Sequence, residues 1–323
     1  MKVIHNYSGD ATWGVIPYIQ KIFDSLSEED SDIVFFNGFS FMDHAALREP
    51  YKDYRRKCLL AHWSPCEFMT RKDYHYFDSY EFFTDVYTVC PFTCKFMNEY
   101  FGNEKFKYIP YPYTNYSVDK FYEYDSLCSW FGSIHGQDHI SAVALLSKYN
   151  YKFITSQKNT WMHHPYEYNK CTHVNLSNED KLKEVSRCKA SLTFNKLYIN
   201  QSTQNNRIYK NLINHSFDFF DQGILPQFKV RTHEIASCKS LILCFKDHWN
   251  LIEDFYQEGE DFIYFESFEE LEEILNDIDT NFEKYKKIIE NAYEKHYNYS
   301  VEKIFNYMKT NDPSLITWKN KHV

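Results

Sequence analysis

Gln227-Phe228-Lys229-Val230-Arg231-Thr232-His233-Glu234-Ile235-Ala236-Ser237-Cys238-Lys239-Ser240-Leu241-Ile242-Leu243-Cys244 is the stretch on which the reading of this chain turns. Its pattern predicts one short helix over Val230 to Cys238, with Ala236 and Ser237 as a small face that lets it lie close against a sheet. Leu241 to Phe245 follows as an apolar strand, bounded by Lys239-Ser240 and Lys246-Asp247. A helix therefore starts near Arg231 and runs into a buried strand. The first turn of such a helix has free backbone N–H groups and a positive dipole end, and here it is expected to carry a guanidinium and a carboxylate. Anions bind at such places. An arginine there can pair with a diphosphate through its planar fork, and a nearby glutamate can accept hydrogen bonds from a ribose diol. The structural alternative stands beside it, with Glu234 complementing the dipole and Arg231 solvated.

Working outward, Trp249 to Tyr256 reads as helical, Phe262 to Phe265 as a strand, and Ser267 to Leu275 as the start of another helix. Toward the amino terminus the same alternation recurs. Lys2 to Asn6 reads as a strand, Ile16 to Leu26 as a helix, Ser31 to Gly38 and Arg56 to Pro65 as strands, and Phe83 to Pro91 as a fourth strand before a helix over Phe92 to Phe101. Phe106 to Pro112 is a fifth. Strands separated by helical segments imply a parallel sheet. Residues 113 to 126 are polar and lack periodicity, which marks them as a linker. A second opening follows with Leu127 to Phe131, Gly132-Ser133-Ile134-His135-Gly136 and a helix from Gln137, then strands over Tyr151 to Thr155 and Ala190 to Asn195. Between the last two, Ser177 reads as the N-cap of a helix, with Asp180 three residues on. The expected class is thus α/β, with two Rossmann-like halves. They are expected at 1–112 and 127–300, with 301–323 as a terminal helix returning to the first half.

The order of helix, strand, Gln257-Glu258-Gly259-Glu260-Asp261 turn, strand and helix after Arg231 resembles the end of the nucleotide-sugar domain in GT-B glycosyltransferases of the glycosyl transferases group 1 (family 4-like) superfamily. Asp85-Val86-Tyr87-Thr88-Val89, a helix, then Tyr108-Ile109-Pro110-Tyr111-Pro112 looks like the end of the amino-terminal domain, and His296 to Lys303 like the closing segment. The resemblance covers 127–308 in order and 1–112 by topology only. It implies a GT-B architecture, two Rossmann-like domains facing each other across a cleft. It implies transfer of a sugar from a UDP- or GDP-sugar to a hydroxyl of a glycan, lipid-linked or protein acceptor. No cofactor and no metal are implied, and the transfer is expected to be retaining. Arg231 would clamp the diphosphate with Thr232 beside it, Glu234 would hold the ribose, and Gly132, Ser133 and His135 would form the phosphate loop. Val174 and Asn175 would contact the base through the main chain, Gly14 would lie in the loop facing the acceptor, and His62 would face the sugar. A structural histidine is the alternative at His62, and an inverting route would draw its base from Asp10, His62 or Glu67. The sequence also departs from the family. Pro226 stands where many relatives have a first glutamate, and the usual Arg and Lys of the phosphate loop are absent. Arg207 reads as a surface residue or a further phosphate contact.

Composition narrows the choice. The chain has 323 residues, 28 Phe and 28 Tyr against 8 Gly, enough apolar mass for two domains with real cores. A formal net charge of -9 argues against binding a nucleic acid through many phosphates. A nucleic-acid-modifying glycosyltransferase and a decayed nucleotide-sugar binder remain the alternative readings. Nine cysteines are scattered without zinc spacing, Cys90 and Cys94 being the closest pair, and read as reduced thiols. The start of the chain has no apolar run long enough for a signal sequence, and no other segment has one for a membrane span, so a cytoplasmic protein is expected. Asp277-Ile278-Asp279 reads as solvated rather than metal-binding.

Overall fold

The computed structural model describes residues 1–6, 16–38, 48–61, 79–113, 116, 118, 121, 123–155, 170–198 and 224–319. The chain forms two compact units. One comprises 1–114, 199–228 and 299–323, the other 115–198 and 229–298.

In the first unit β1 (Lys2–Asn6), β2 (Ile33–Gly38), β3 (Arg56–Ala61), β4 (Asp85–Thr88) and β5 (Phe106–Tyr108) form a parallel sheet in sequential order. The fourth and fifth strands stop earlier than the apolar runs suggest, because Pro91 and the prolines after Tyr108 remove ladder donors. Helix α1 (Ile16–Ser25) and helix α2 (Pro91–Phe101) flank it. Pro91 opens α2 at a position where no intrahelical N–H is needed, and Gly102 closes it at φ +61. The abundant aromatics fill the interior. Phe23 meets Phe35 edge to face at 5.2 Å, and Phe36 meets Phe83 at 5.5 Å. A late segment completes this unit, since Phe305 stands 5.7 Å from Phe23 and 6.2 Å from Phe35. Each fully buried phenylalanine contributes about 2–3 kcal/mol of apolar burial.

In the second unit β6 (Ser126–Phe131), β7 (Tyr151–Thr155), β8 (His173–Val174) and β9 (Cys188–Thr193) come first. After the short strands β10 (Lys196–Tyr198) and, in the first unit, β11 (Ile224–Pro226), β12 (Leu241–Phe245) and β13 (Ile263–Phe265) complete the set. The sheet runs β13-β12-β9-β6-β7-β8, all parallel. Counted within the sheet this is the doubly wound order 3-2-1-4-5-6, with its reversal between β6 and β9. Helices α3 (Gln137–Leu146), α4 (Asn178–Ser186), α5 (Val230–Ser237), α6 (Phe268–Asn281) and α7 (Lys286–His296) belong to this unit, and α8 (Val301–Thr310) to the first. Ser177 caps α4 by accepting the Asp180 N–H at 3.0 Å, as the sequence predicts. Ser267 does the same for α6 with Glu270.

Small hydroxyl side chains tie the sheet to α5. Ser129 and Ser191 Oγ are 2.6 Å apart, Ser191 and Ser240 Oγ 2.9 Å, and Thr193 and Thr232 Oγ1 3.0 Å, every one of them buried. Buried hydroxyls are satisfied here by one another, so the helix approaches the strands without a cost in lost hydrogen bonds. The expected helix over Trp249 to Tyr256 is instead a 3₁₀ turn, Leu251–Asp254. Asp247 Oδ1 accepts the N–H groups of Trp249 and Asn250, each at 2.9 Å, and Asn250 takes φ +49. That side-chain turn competes with a regular helix and wins. Among the described residues no helix is long and apolar enough to cross a membrane.

Three histidines of this unit are buried. Burial pulls His139 and His233 well below the ordinary imidazole value, with Arg231 and other nearby cations adding to it at His139, and pulls His296 down to about 4. Each stays neutral in the folded chain but takes a proton freely once unfolded. Stability therefore falls as pH drops below about 6.5, and the share from His296 alone reaches about 3 kcal/mol by about pH 4. Urea unfolding at pH 7.5 and pH 5.5 checks this above most carboxylate titration. The midpoint should be lower at pH 5.5, and equal midpoints would contradict neutral burial of these rings.

Candidate functional site

In open α/β sheets ligands bind beyond the carboxyl ends of the strands, where the strand order reverses. That place in the second unit lies after Phe131 of β6 and Thr193 of β9. The residues found there are the Gly132 loop, Asn195 and the start of α5.

Arg231 is the second residue of α5 and lies across the Gly132 loop. Its guanidinium carbon sits 4.6 Å from the centre of the Trp130 ring and 5.4 Å from that of Phe131. A Cβ on Gly132 would run into Arg231 Nη2, and Gly132 has φ +114. Glycine is required there twice, by the backbone angle and by the space the guanidinium takes. Gly132→Ala should therefore push Arg231 aside and strain the loop. We expect a loss of about 1–3 kcal/mol in stability, which thermal melting measures.

The helix start is tethered rather than free. Asn195 Oδ1 accepts the Lys229 N–H at 2.9 Å and the Thr232 hydroxyl at 3.3 Å. Thr232 is thus placed in the interior, joining α5 to the end of β9. Burial pulls the Arg231 guanidinium down to about 10, opposed by Glu234, and it remains cationic at neutral pH. A desolvated cation of this kind gains most from an anionic ligand.

Glu234 differs from its expected place. It is the fifth residue of α5, a turn beyond the dipole end, and only 2 % exposed. Its Oε1 accepts from Lys181 Nζ at 2.8 Å, a partner on α4 that also stands 5.6 Å from the Phe131 ring centre. This replaces both sequence-based structural assignments, dipole complement for Glu234 and solvated surface for Arg231. Lys181 had no signal in the sequence, because its spacing to Glu234 reflects the packing of α4 on α5 rather than a local motif.

Ser133 and His135 lie in the loop after β6. The His135 N–H donates to His139 Nδ1 at 3.1 Å, which places the proton of that neutral ring on Nε2. Val174 ends β8, paired with Thr155, and Asn175 follows at φ +56 with its N–H on the Thr155 carbonyl at 3.0 Å. Both are at the same carboxyl edge as Gly132. His62, Gly14, Asp10, Glu67 and Arg207 lie outside the described residues. Among the described residues no group of three or more His, Cys, Asp or Glu side chains is arranged to hold a metal ion.

The chain can now be set beside known proteins. Residues 137–305 match the family model described as glycosyl transferase-like. Comparison with curated proteins by sequence gives no match. Among solved structures, Anabaena HepE in complex with UDP-glucose aligns at a TM-score of 0.57 and 10% identity, over 96% of this chain and 98% of that one. TarM of S. aureus aligns at 0.53 and 11% identity, over 91% of this chain. The pneumococcal O-GlcNAc transferase GtfA, solved with UDP and GlcNAc, aligns at 0.52 and 9% identity, over 93% of this chain. This chain spans 57% of the TarM chain and 60% of the GtfA chain. Identities this low speak for the fold, and the fold they share is GT-B. With the family model matching more than half of its length and the two parallel α/β sheets in place, the chain belongs to the glycosyl transferase-like family and is a glycosyltransferase of the GT-B fold.

Proposed function

We propose that this protein moves a sugar from a nucleoside diphosphate sugar, a UDP-sugar first among the candidates, to a hydroxyl acceptor. The observation that carries the reading is Arg231 laid over Gly132 at the strand-order reversal, one helical turn from Glu234. The barrier to glycosyl transfer is charge separation, as the anomeric carbon becomes oxocarbenium-like while the diphosphate leaves as an anion. A fixed guanidinium and backbone N–H groups at the leaving phosphates stabilise that state more than the ground state. In this scheme Arg231 meets the diphosphate, Glu234 accepts from the ribose diol while Lys181 holds its other oxygen, and Val174 and Asn175 border the base. The positive charge at the leaving group comes from side chains, which supports metal-independent transfer. Rates unchanged by EDTA would agree with that.

HepE was solved with UDP-glucose and GtfA with UDP, which makes uridine nucleotides the first probes. Retention at the anomeric carbon rests on the family resemblance and is read by proton NMR of the product. Buried free thiols at Cys58, Cys90, Cys94, Cys128, Cys188, Cys238 and Cys244 support a reducing, cytoplasmic setting. The test is a panel of UDP- and GDP-sugars followed by thermal shift and donor hydrolysis. One base should raise Tm with its sugars and release sugar slowly to water. A panel in which no nucleotide sugar moves Tm would remove the proposal.

A further inference from the structure

The loop from Gly132 to Gly136 has no arginine or lysine of its own. A nucleoside diphosphate leaves with more negative charge than one guanidinium balances. Arg231 covers the first residue of this loop. At its other end, Asp138, the second residue of α3, pairs with Lys196 Nζ and accepts from the Tyr198 hydroxyl. Lys196 arrives from β10, three residues after β9 ends, and is 7% exposed. Its ammonium stands 4.3 Å from the centre of the Phe245 ring and 5.6 Å from that of Phe194, so its position is held by aromatic faces as well as by Asp138.

The two cations share a neighbour. His139 lies between the rings of Trp130, at 4.6 Å, and Phe194, at 5.0 Å. Burial, and then the charges of Arg231, His135, Lys229 and Lys196, hold it neutral. Its Nε2–H and the Trp130 Nε1–H are both buried and meet no acceptor among the described residues. Two cations and two buried N–H donors that meet no acceptor among the described residues thus lie around the loop at the strand-order reversal.

We propose that Lys196 is a second cation of the donor diphosphate site, fixed by Asp138 at the opposite end of the Gly132–Gly136 loop from Arg231. The inference rests on reading the site as one for a nucleoside diphosphate sugar. Lys196 serves the distal phosphate, and its effect is therefore confined to ligands that have one. Asp138 is a positioning residue whose charge opposes the ligand.

Calorimetric titration of the full chain with UDP, UMP, GDP and GMP tests this. The wild type should bind one diphosphate more tightly than its monophosphate. Lys196→Met, which keeps the apolar stem on Phe245, should weaken the diphosphate about tenfold or more and the monophosphate less than about twofold. Asp138→Asn should hold diphosphate affinity within about threefold of the wild type, because removal of a like charge offsets looser placement of Lys196. If Lys196→Met does not fold, Lys196→Gln carries the same expectation. An unchanged diphosphate affinity in the lysine variant, an equal loss for mono- and diphosphate, or an equal loss in the Lys196 and Asp138 variants would overturn the role of Lys196 while leaving the site reading in place. A wild type that binds none of the four nucleotides takes both down.

Discussion

Replacing Arg231 by alanine should abolish donor-induced stabilisation and lower transfer about 10²–10³-fold, while the chain stays folded. The loss follows from what the side chain does in each state. In the folded chain its guanidinium rests on Trp130 and is partly desolvated, an arrangement worth about 1 kcal/mol in packing. In the transition state it would meet a developing diphosphate charge, where a bidentate pair is worth far more. Arg231→Lys should restore little, since an ammonium cannot reproduce the fork or its stacking on Trp130. Thermal shift with and without a nucleoside diphosphate separates the two effects. If the variant melts with an undiminished ligand shift, Arg231 does not touch the diphosphate.

The largest stability effect should come from Asp85, in the first unit. Its carboxylate accepts from Arg56 Nε and from Lys107 Nζ, both at 2.5 Å, and the residue is 8% exposed. Arg56 also donates to the Lys309 carbonyl at 3.0 Å, and Lys107 Nζ to Asn311 Oδ1 at 2.6 Å. One carboxylate therefore organises two cations that in turn hold the carboxyl end of α8, Arg56 at a backbone carbonyl and Lys107 at the Asn311 side chain. Burial pushes the Asp85 carboxyl up, and hydrogen bonds from Lys107 and Arg56 outweigh it to leave the group below the usual range. Asp85→Ala strands both cations and should cost about 3–5 kcal/mol. Asp85→Asn, keeping the shape but not the charge, should cost less. Denaturant unfolding measures both. Equal and small losses would mean that α8 is held by its aromatic contacts alone.

Where a segment's conformation followed from its own residues, the sequence was a good guide. The strand over Leu241 to Phe245 and the Ser177 cap are local facts of pattern and side-chain chemistry, and both hold. Trp249 to Tyr256 misled because the turn-forming carboxylate of Asp247 lies outside the apolar pattern that suggested a helix. The site was legible in its parts but not in its joins. Gly132 and Arg231 were each singled out, yet nothing local says that one must lack a Cβ to admit the other. Glu234 was assigned to a helix start, and its burial against Lys181 emerges only when two helices pack. Lys196 lies in a tyrosine-rich neighbourhood without a motif, so its approach to Asp138 was invisible before folding.

Phe305 of α8 bears on how the protein is made. Phe23 and Phe35 leave the ribosome long before Phe305, which lies against both. The second unit has all its residues by 298, so it can finish folding while the earlier one still shows an apolar face to solvent. Nascent chains stalled before this helix should be the ones that chaperones hold longest.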